Sequence, residues 1–173
     1  MHSEGFPPVA DARARVLILG TLPGQVSLRD QQYYAHPHNQ FWRIMGQLFG
    51  ASRELPYAER LKLLKTRHIA LWDVCAAAHR PGSLDGDIRA ETIVLNDFAP
   101  FLKKHRAIEF VCFNGATAAQ LYRRLVLPQL SEKAQALRRD TLPSTSPAHA
   151  SMSLAQKLER WSVLLEVLGS PRA

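Results

Sequence analysis

Cysteine is scarce in this chain: 173 residues contain two, Cys75 and Cys112. A four-cysteine iron–sulfur cluster is therefore excluded within one chain. No C-x-x-C pair exists, so a metal site drawn from these cysteines would need several His partners at suitable spacing. Both thiols end apolar runs, where cysteine usually serves as a small buried hydrophobe. Long hydrophobic runs are missing as well. None approaches the ~20 residues that span a bilayer. The opening residues, MHSEGFPPVADAR, lack the apolar stretch of a secretory signal. The expected setting is cytoplasmic, with no membrane. Three motifs are also absent: the phosphate loop G-x-x-x-x-G-K-[ST], the dinucleotide fingerprint G-x-G-x-x-G and the serine-hydrolase elbow G-x-S-x-G. No internal repeat or low-complexity linker is present.

Acidic residues are in the minority, 15 against 22 Lys and Arg, leaving a net charge of +7. Basic residues cluster at 103–106, 123–124 and 138–139. Such charge suits nucleic acid, whose phosphates dominate affinity, and equally suits a solvated basic face. The 46% hydrophobic and 21% charged content fits one soluble globular domain. We expect that domain over residues 13–170, after a loose N-terminal tail at 1–12.

Apolar runs ending in glycine or polar residues predict buried strands at Val16–Leu19, Ile69–Cys75 and Ile108–Phe113, with a short fourth strand ending at Leu142. Between them, apolar residues at helical spacing predict helices over 40–49, after Pro56, around 96–105 and over 116–125. A closing helix is expected over 153–168, and 79–91 reads as a polar loop. Strands alternating with helices imply an α/β fold, a parallel sheet with helices on both faces. Ligands of such folds sit beyond the carboxyl ends of the strands. The segments there are 20–24, 73–79, 113–115 and 142–150.

These segments carry the chemistry. Gly20, Thr21, Leu22, Pro23 and Gly24 form a turn in which backbone can pass close to a ligand, or which merely reverses the chain. In the block YYAHPHNQFW at 33–42, Tyr33 and Tyr34 are placed to stack on a planar ligand. Phe41 and Trp42 suit either stacking or the core. Asn39 is placed either to cap a helix or to hold a water or a base edge. His36 and His38 form an H-x-H pair without a carboxylate, a weak metal signal. Asn114 offers a donor and an acceptor to a ligand edge, or serves an Asn-Gly turn. Ser144, Thr145 and Ser146 bring hydroxyls that suit phosphate oxygens, while Ser151 or Ser153 suits helix capping. Asp73, Asp85 and Asp87 are possible acids, the last two suited to turn geometry.

In order along residues 15–168, the motifs LGTLPG, YYAHPHNQFW, LWDVC, GSLD, FNG and LPSTSPAHAS resemble those of the uracil-DNA glycosylase superfamily. They are most similar to its family 6, the hypoxanthine-DNA (deoxyinosine) glycosylases. The resemblance implies a three-layer α/β/α sandwich around a four-stranded parallel sheet. It implies monofunctional excision of a deaminated base from DNA without metal or cofactor; a monomer suits scanning along DNA and is the expected state. Leu22 stands where other branches place a catalytic Asp, Asn or Glu, and leucine cannot activate water. The likeness assigns catalysis to Asn39 instead, and the purine edge to Asn114. It places residues 142–151 at the minor groove, with Leu142 where many relatives have His or Asn and His149 where they often have Asn. The expected site therefore has Asn39 as the catalytic group. Residues 20–24, Tyr34, Phe41 and Asn114 contact the base, and Ser144, Thr145, Ser146, Pro147 and His149 contact DNA. Hypoxanthine is the foremost substrate, with uracil or G:T/U mismatches as alternatives. Leu22 also leaves open a catalytically inactive DNA binder. A nucleoside hydrolase is a further alternative, although its aspartate cluster is missing.

Overall fold

The computed structural model describes residues 1–169; Ser170, the last residue of the expected domain, lies outside the described residues. The first half of the chain builds β1 (His2–Glu4), β2 (Val16–Gly20), α1 (Gln25–Asp30), α2 (Phe41–Phe49), α3 (Tyr57–Thr66), β3 (Ile69–Asp73) and β4 (Cys75–His79). The second half builds β5 (Val94–Leu95), α4 (Phe98–Lys104), β6 (Phe110–Asn114), α5 (Ala116–Leu121), α6 (Glu132–Gln135), β7 (Arg138–Leu142), α7 (Leu154–Trp161) and α8 (Val163–Gly169).

Four strands form a parallel sheet in the order β3-β2-β6-β7. All five residues of β2 are buried, as expected for an interior parallel strand covered on both faces. Val16 and Ile18 pack with Phe41, Ile44 and Met45 of α2, Trp161 of α7, and Leu164 and Val167 of α8. Leu17 and Leu19 face the opposite layer, with Phe98 and Phe101 of α4, Ala118 of α5, and Tyr122. These two cores separate three layers, helix on sheet on helix, which is the α/β/α sandwich expected.

The loose tail is a correction. β1 pairs antiparallel with β4, from His2 beside His79 to Glu4 beside Ala77, and Ser3 is buried. Val9 and Leu71 exchange backbone hydrogen bonds of 2.9 Å each. The tail thereby covers the outer edge of β3, which would otherwise be open to mispairing. The segment expected to begin as a loop at 79 is also strand earlier than anticipated. The chain breaks at Val74, and β4 joins β1 and β5 in a small antiparallel sheet.

The expected closing helix divides at Ser162. Its side-chain hydroxyl donates to the Glu159 carbonyl at 2.5 Å, a back-bond that bends helices. At its start, the Ser153 hydroxyl accepts from the Gln156 N–H while the Gln156 side chain accepts from the Ser153 N–H. This reciprocal cap fixes where α7 leaves the 142–150 loop. Among the described residues no helix is long and apolar enough to cross a membrane.

Candidate active site

Sheet register decides which residues meet. Gly20 pairs beside Asp73, Leu19 beside Phe113, and Asn114 beside Leu142. The strand ends of β2, β3, β6 and β7 thus share one rim, and over it opens a cavity of about 690 Å³. Its lining includes residues 20–24, Tyr34, Asn39, Asn114, residues 144–147 and His149. Of the expected site residues, Phe41 alone does not reach it. Phe41 is 0% exposed, because it shares the inward face of α2 with Ile44 and Met45. Its ring stacks on Tyr34 at 4.1 Å between centroids. Phe41 therefore backs the ring that lines the cavity and is not itself a contact surface.

The turn after β2 is held by its carbonyls. Those of Gly20, Thr21 and Gly24 accept from the N–H groups of Val74 (2.8 Å), Cys75 (3.0 Å) and Leu28 (2.9 Å). The carbonyls of Leu22 and Pro23 accept from the guanidinium of Arg80, which is 1% exposed. The N–H groups of Thr21, Leu22 and Gly24 make no hydrogen bond among the described residues. With all five carbonyls committed, the turn offers the cavity wall free donors. Leu22 is buried against Cys75 and Ala78, so its side chain contributes packing.

The 33–42 block divides by depth. Tyr33 is buried, donates from its hydroxyl to the Pro7 carbonyl and packs edge-on against Phe6. It anchors the loop. Tyr34 sits in the left-handed region at φ 54°, which turns its side chain back over the sheet rim. Arg53, which sequence reasoning missed, ties this loop by donating to the carbonyls of Ala35 at 3.2 Å, Tyr34 at 3.3 Å and His36 at 2.9 Å. Asn39 is half-buried, and its Oδ1 accepts the Phe41 N–H at 3.0 Å. It both holds the start of α2 and lines the cavity. An amide oxygen has two acceptor sites, so one remains. His36 Nδ1 accepts the His38 N–H at 3.1 Å. Among the described residues, no group of three or more His, Cys, Asp or Glu side chains could hold a metal ion.

Across the cavity, Asn114 and Thr145 are locked together. The Asn114 side-chain N–H donates to the Thr145 hydroxyl, and its oxygen accepts the Thr145 N–H, both at 2.9 Å. Thr145 is 0% exposed. Its polar groups therefore orient Asn114, which corrects the expectation that they hold a DNA phosphate. One N–H and one lone pair of Asn114 stay available. The Ser144 and Ser146 hydroxyls accept from the N–H groups of Ser146 and Ala148, each at 3.2 Å, which shapes the loop. Gln40 N–H donates to the Thr145 carbonyl at 3.0 Å, joining this loop to the Asn39 segment. Lys157 is 2% exposed and donates to the His149 carbonyl at 2.7 Å.

Two carboxyl groups of the cavity lining, outside the expected set, carry its titratable acids. Asp85 accepts from the Thr21 hydroxyl at 3.0 Å. Burial raises its carboxyl, while that hydrogen bond and the Arg80 charge oppose the rise. Asp73, at the end of β3, is 4% exposed. Burial, reinforced by the Asp85 charge and opposed by Arg80, pushes its carboxyl up to about 7. Burial likewise holds the Tyr34 hydroxyl well above the ordinary phenol range.

Known proteins share this sequence and fold. The sequence model of the Uracil DNA glycosylase superfamily matches residues 7–165. A hypoxanthine DNA glycosylase of Methanosarcina barkeri is 44% identical over 125 residues, covering 69% of this chain and 75% of that protein. One from Methanosarcina acetivorans is 38% identical over 160 residues, covering 92% and 96%. A solution NMR structure of a Methanosarcina acetivorans protein, provisionally assigned as a uracil DNA glycosylase, superposes with a TM-score of 0.79. It shares 36% identity over 96% of this chain and 99% of its own. With sequence and fold agreeing over nearly the full length, the chain belongs to the Uracil DNA glycosylase superfamily.

Proposed function

We propose that this protein is a monofunctional DNA glycosylase that hydrolyses the N-glycosidic bond of a deaminated base, hypoxanthine foremost, flipped out of DNA. The observation that carries this reading is the rim cavity, where Asn39, Asn114 and the free N–H groups of the 20–24 turn converge on one space. Two relatives named hypoxanthine DNA glycosylase favour that base over uracil.

The bond between sugar C1′ and the base nitrogen is inaccessible inside a duplex, so the nucleotide must leave the stack, which costs a few kcal/mol. A deaminated base pairs poorly and flips at lower cost. Tyr34, braced by Phe41, lines the cavity that would receive the base. Cleavage develops positive charge on the sugar and negative charge on the base. Asn39 is neutral and acts by position: its second oxygen lone pair aims a water at C1′. Stabilising the departing base falls to hydrogen-bond donors, the Asn114 amide and the turn N–H groups, in a preorganised site. Arg80 acts at a distance by holding the turn carbonyls away from the base.

The reading extends to a cytoplasmic monomer acting on DNA. Oligonucleotides carrying deoxyinosine, uracil, xanthine, a G:T mismatch or no damage, single- and double-stranded, followed by alkali, test it. The expected outcome is strand scission at deoxyinosine. Binding to damaged DNA without alkali-labile sites would instead identify an inactive binder. Release of base from free nucleoside alone would identify a nucleoside hydrolase.

A further inference from the structure

Three polar atoms that line the cavity are buried without a well-formed hydrogen bond: the Tyr34 hydroxyl, which has only the Asn114 side chain beside it, Asp73 Oδ2 and His149 Nε2. Buried polar groups are nearly always paired, so such a cluster in one cavity points to a missing ligand. Two of the three stand together. A methyl carbon built on Gly20 would lie 2.5 Å from Asp73 Oδ1 and 2.8 Å from the Tyr34 hydroxyl. The two oxygens are therefore at most about 5.3 Å apart, both beside Gly20. Neither Asp73 carboxyl oxygen makes a hydrogen bond among the described residues; only its backbone carbonyl does, accepting from Asn96 at 2.8 Å.

The geometry points to Asp73 as a second catalytic residue: its carboxyl O–H donates to the carbonyl oxygen that deamination creates on the base, beside a second donor from Tyr34, and protonates the base as it departs. This rests on the glycosylase reading above and names what that reading lacks, an acid for the leaving group.

The chemistry of the substrate supports it. Deamination replaces an exocyclic amino donor with a carbonyl acceptor, so the group that marks hypoxanthine calls for donors at the cavity floor. Asp73 and Tyr34 can both donate, and no acceptor on the protein takes their protons. An unpaired buried carboxylate is disfavoured as an anion, and the rise of Asp73 to about 7 keeps the proton resident below neutral pH and in about half of the molecules at pH 7. The titratable and charged groups around it are Tyr33 and Tyr34 from the loop before α2, Cys75 from β4, and Arg80 and Asp85 beyond β4. His36 and His149 line the same cavity.

The step balances. The C1′–N9 bond breaks with its electron pair going to the purine, and the Asp73 proton passes to O6. The oxygen of the water aimed by Asn39 bonds to C1′. The proton released by that water goes to solvent, which reprotonates Asp73. One water is consumed, and no oxidant or reductant is needed.

The test is single-turnover excision of hypoxanthine from a duplex between pH 5 and 9 by the wild type, Asp73→Asn, Asp73→Ala and Tyr34→Phe. Thermal melts and affinity for a duplex carrying an abasic-site analogue accompany it. General acid catalysis is typically worth roughly 10²–10⁴-fold. Wild-type turnover should fall about tenfold per pH unit above about pH 7. Asp73→Asn, which keeps a donor but cannot give up a proton, should be slower by about 10²-fold at pH 6 and lose that alkaline fall. Asp73→Ala should lose about 10³-fold and Tyr34→Phe about tenfold, with DNA affinity within about threefold of wild type. If folded Asp73→Asn matches the wild-type rate, or keeps the same alkaline fall, Asp73 is not the acid while the glycosylase reading stands. If the wild type releases no deaminated base at any pH, both readings fail together.

Discussion

Gly20 closes β2 where the base would rest, and its missing side chain is a structural requirement. In Gly20→Ala the new methyl would meet Asp73 Oδ1 at 2.5 Å and the Tyr34 hydroxyl at 2.8 Å. Ordinary contact begins near 3.4 Å, so the first must retreat by about 0.9 Å and the second by about 0.6 Å. Neither moves freely. Asp73 is buried at a strand end, and Tyr34 is pinned between its stack on Phe41 and the Arg53 bond to its carbonyl. Overpacking of this kind costs roughly 1–3 kcal/mol, which lowers the melting temperature by about 2–12 °C for a domain of this size. A misplacement near 1 Å at reacting groups costs roughly 10²-fold in rate. Circular-dichroism melts and single-turnover nicking of a deoxyinosine duplex, both below the variant's melting range, read the two effects separately. A Gly20→Ala protein that melts within about a degree of wild type and cuts within about twofold of its rate refutes the close approach.

Two other perturbations follow from the charges behind the cavity. Asp73 has an ordinary value of 3.8 and is raised to about 7 by burial. Its contribution to stability is complete below about pH 4 and is lost as the pH rises through 7, by up to about 4 kcal/mol. Asp73→Asn removes that loss, so urea unfolding should find its advantage over wild type larger at pH 8 than at pH 5; an equal difference at both contradicts the burial argument. Arg80→Ala strips the donors from the Leu22 and Pro23 carbonyls and leaves Asp85 without its nearby cation at 3.9 Å. Breaking such a buried arrangement costs about 3–5 kcal/mol. The expected protein unfolds at markedly lower denaturant and excises slowly, whereas an unchanged midpoint shows that the turn holds itself.

The parallel sheet is legible because β2, β3 and β6 are continuous apolar runs, the pattern of strands buried on both faces. The small antiparallel sheet is not. β1 is the polar tripeptide HSE and β4 is Cys-Ala-Ala-Ala-His, and neither has strand propensity of its own. Both exist because long-range pairing overrides local preference. The rim was legible as a set of segments, since strand ends and polar motifs coincide. Depth within it was not. Phe41 and Tyr34 are similar rings in one block, and only the inward face of α2 decides that the first is core and the second lines the cavity. Asp73 was legible only as a possible acid at a strand end; its burial arises from β3 register, the Tyr34 loop and the Asp85 turn together. Arg53 and Arg80 look like two more surface charges in a basic sequence. Their work, holding carbonyls at loops 17–58 residues away, appears only in three dimensions.

The account turns on whether one neutral amide aims the water. Excision of hypoxanthine by wild type and Asn39→Ala, on the same deoxyinosine duplex with binding measured in parallel, tests it most directly. The predicted result is release of hypoxanthine by the wild type and a loss of at least about 10²-fold in Asn39→Ala, as befits a lost positioning effect. DNA affinity should stay within a fewfold and the fold intact. Asn39→Ala turnover near wild type would contradict the account and move the catalytic role elsewhere in the cavity.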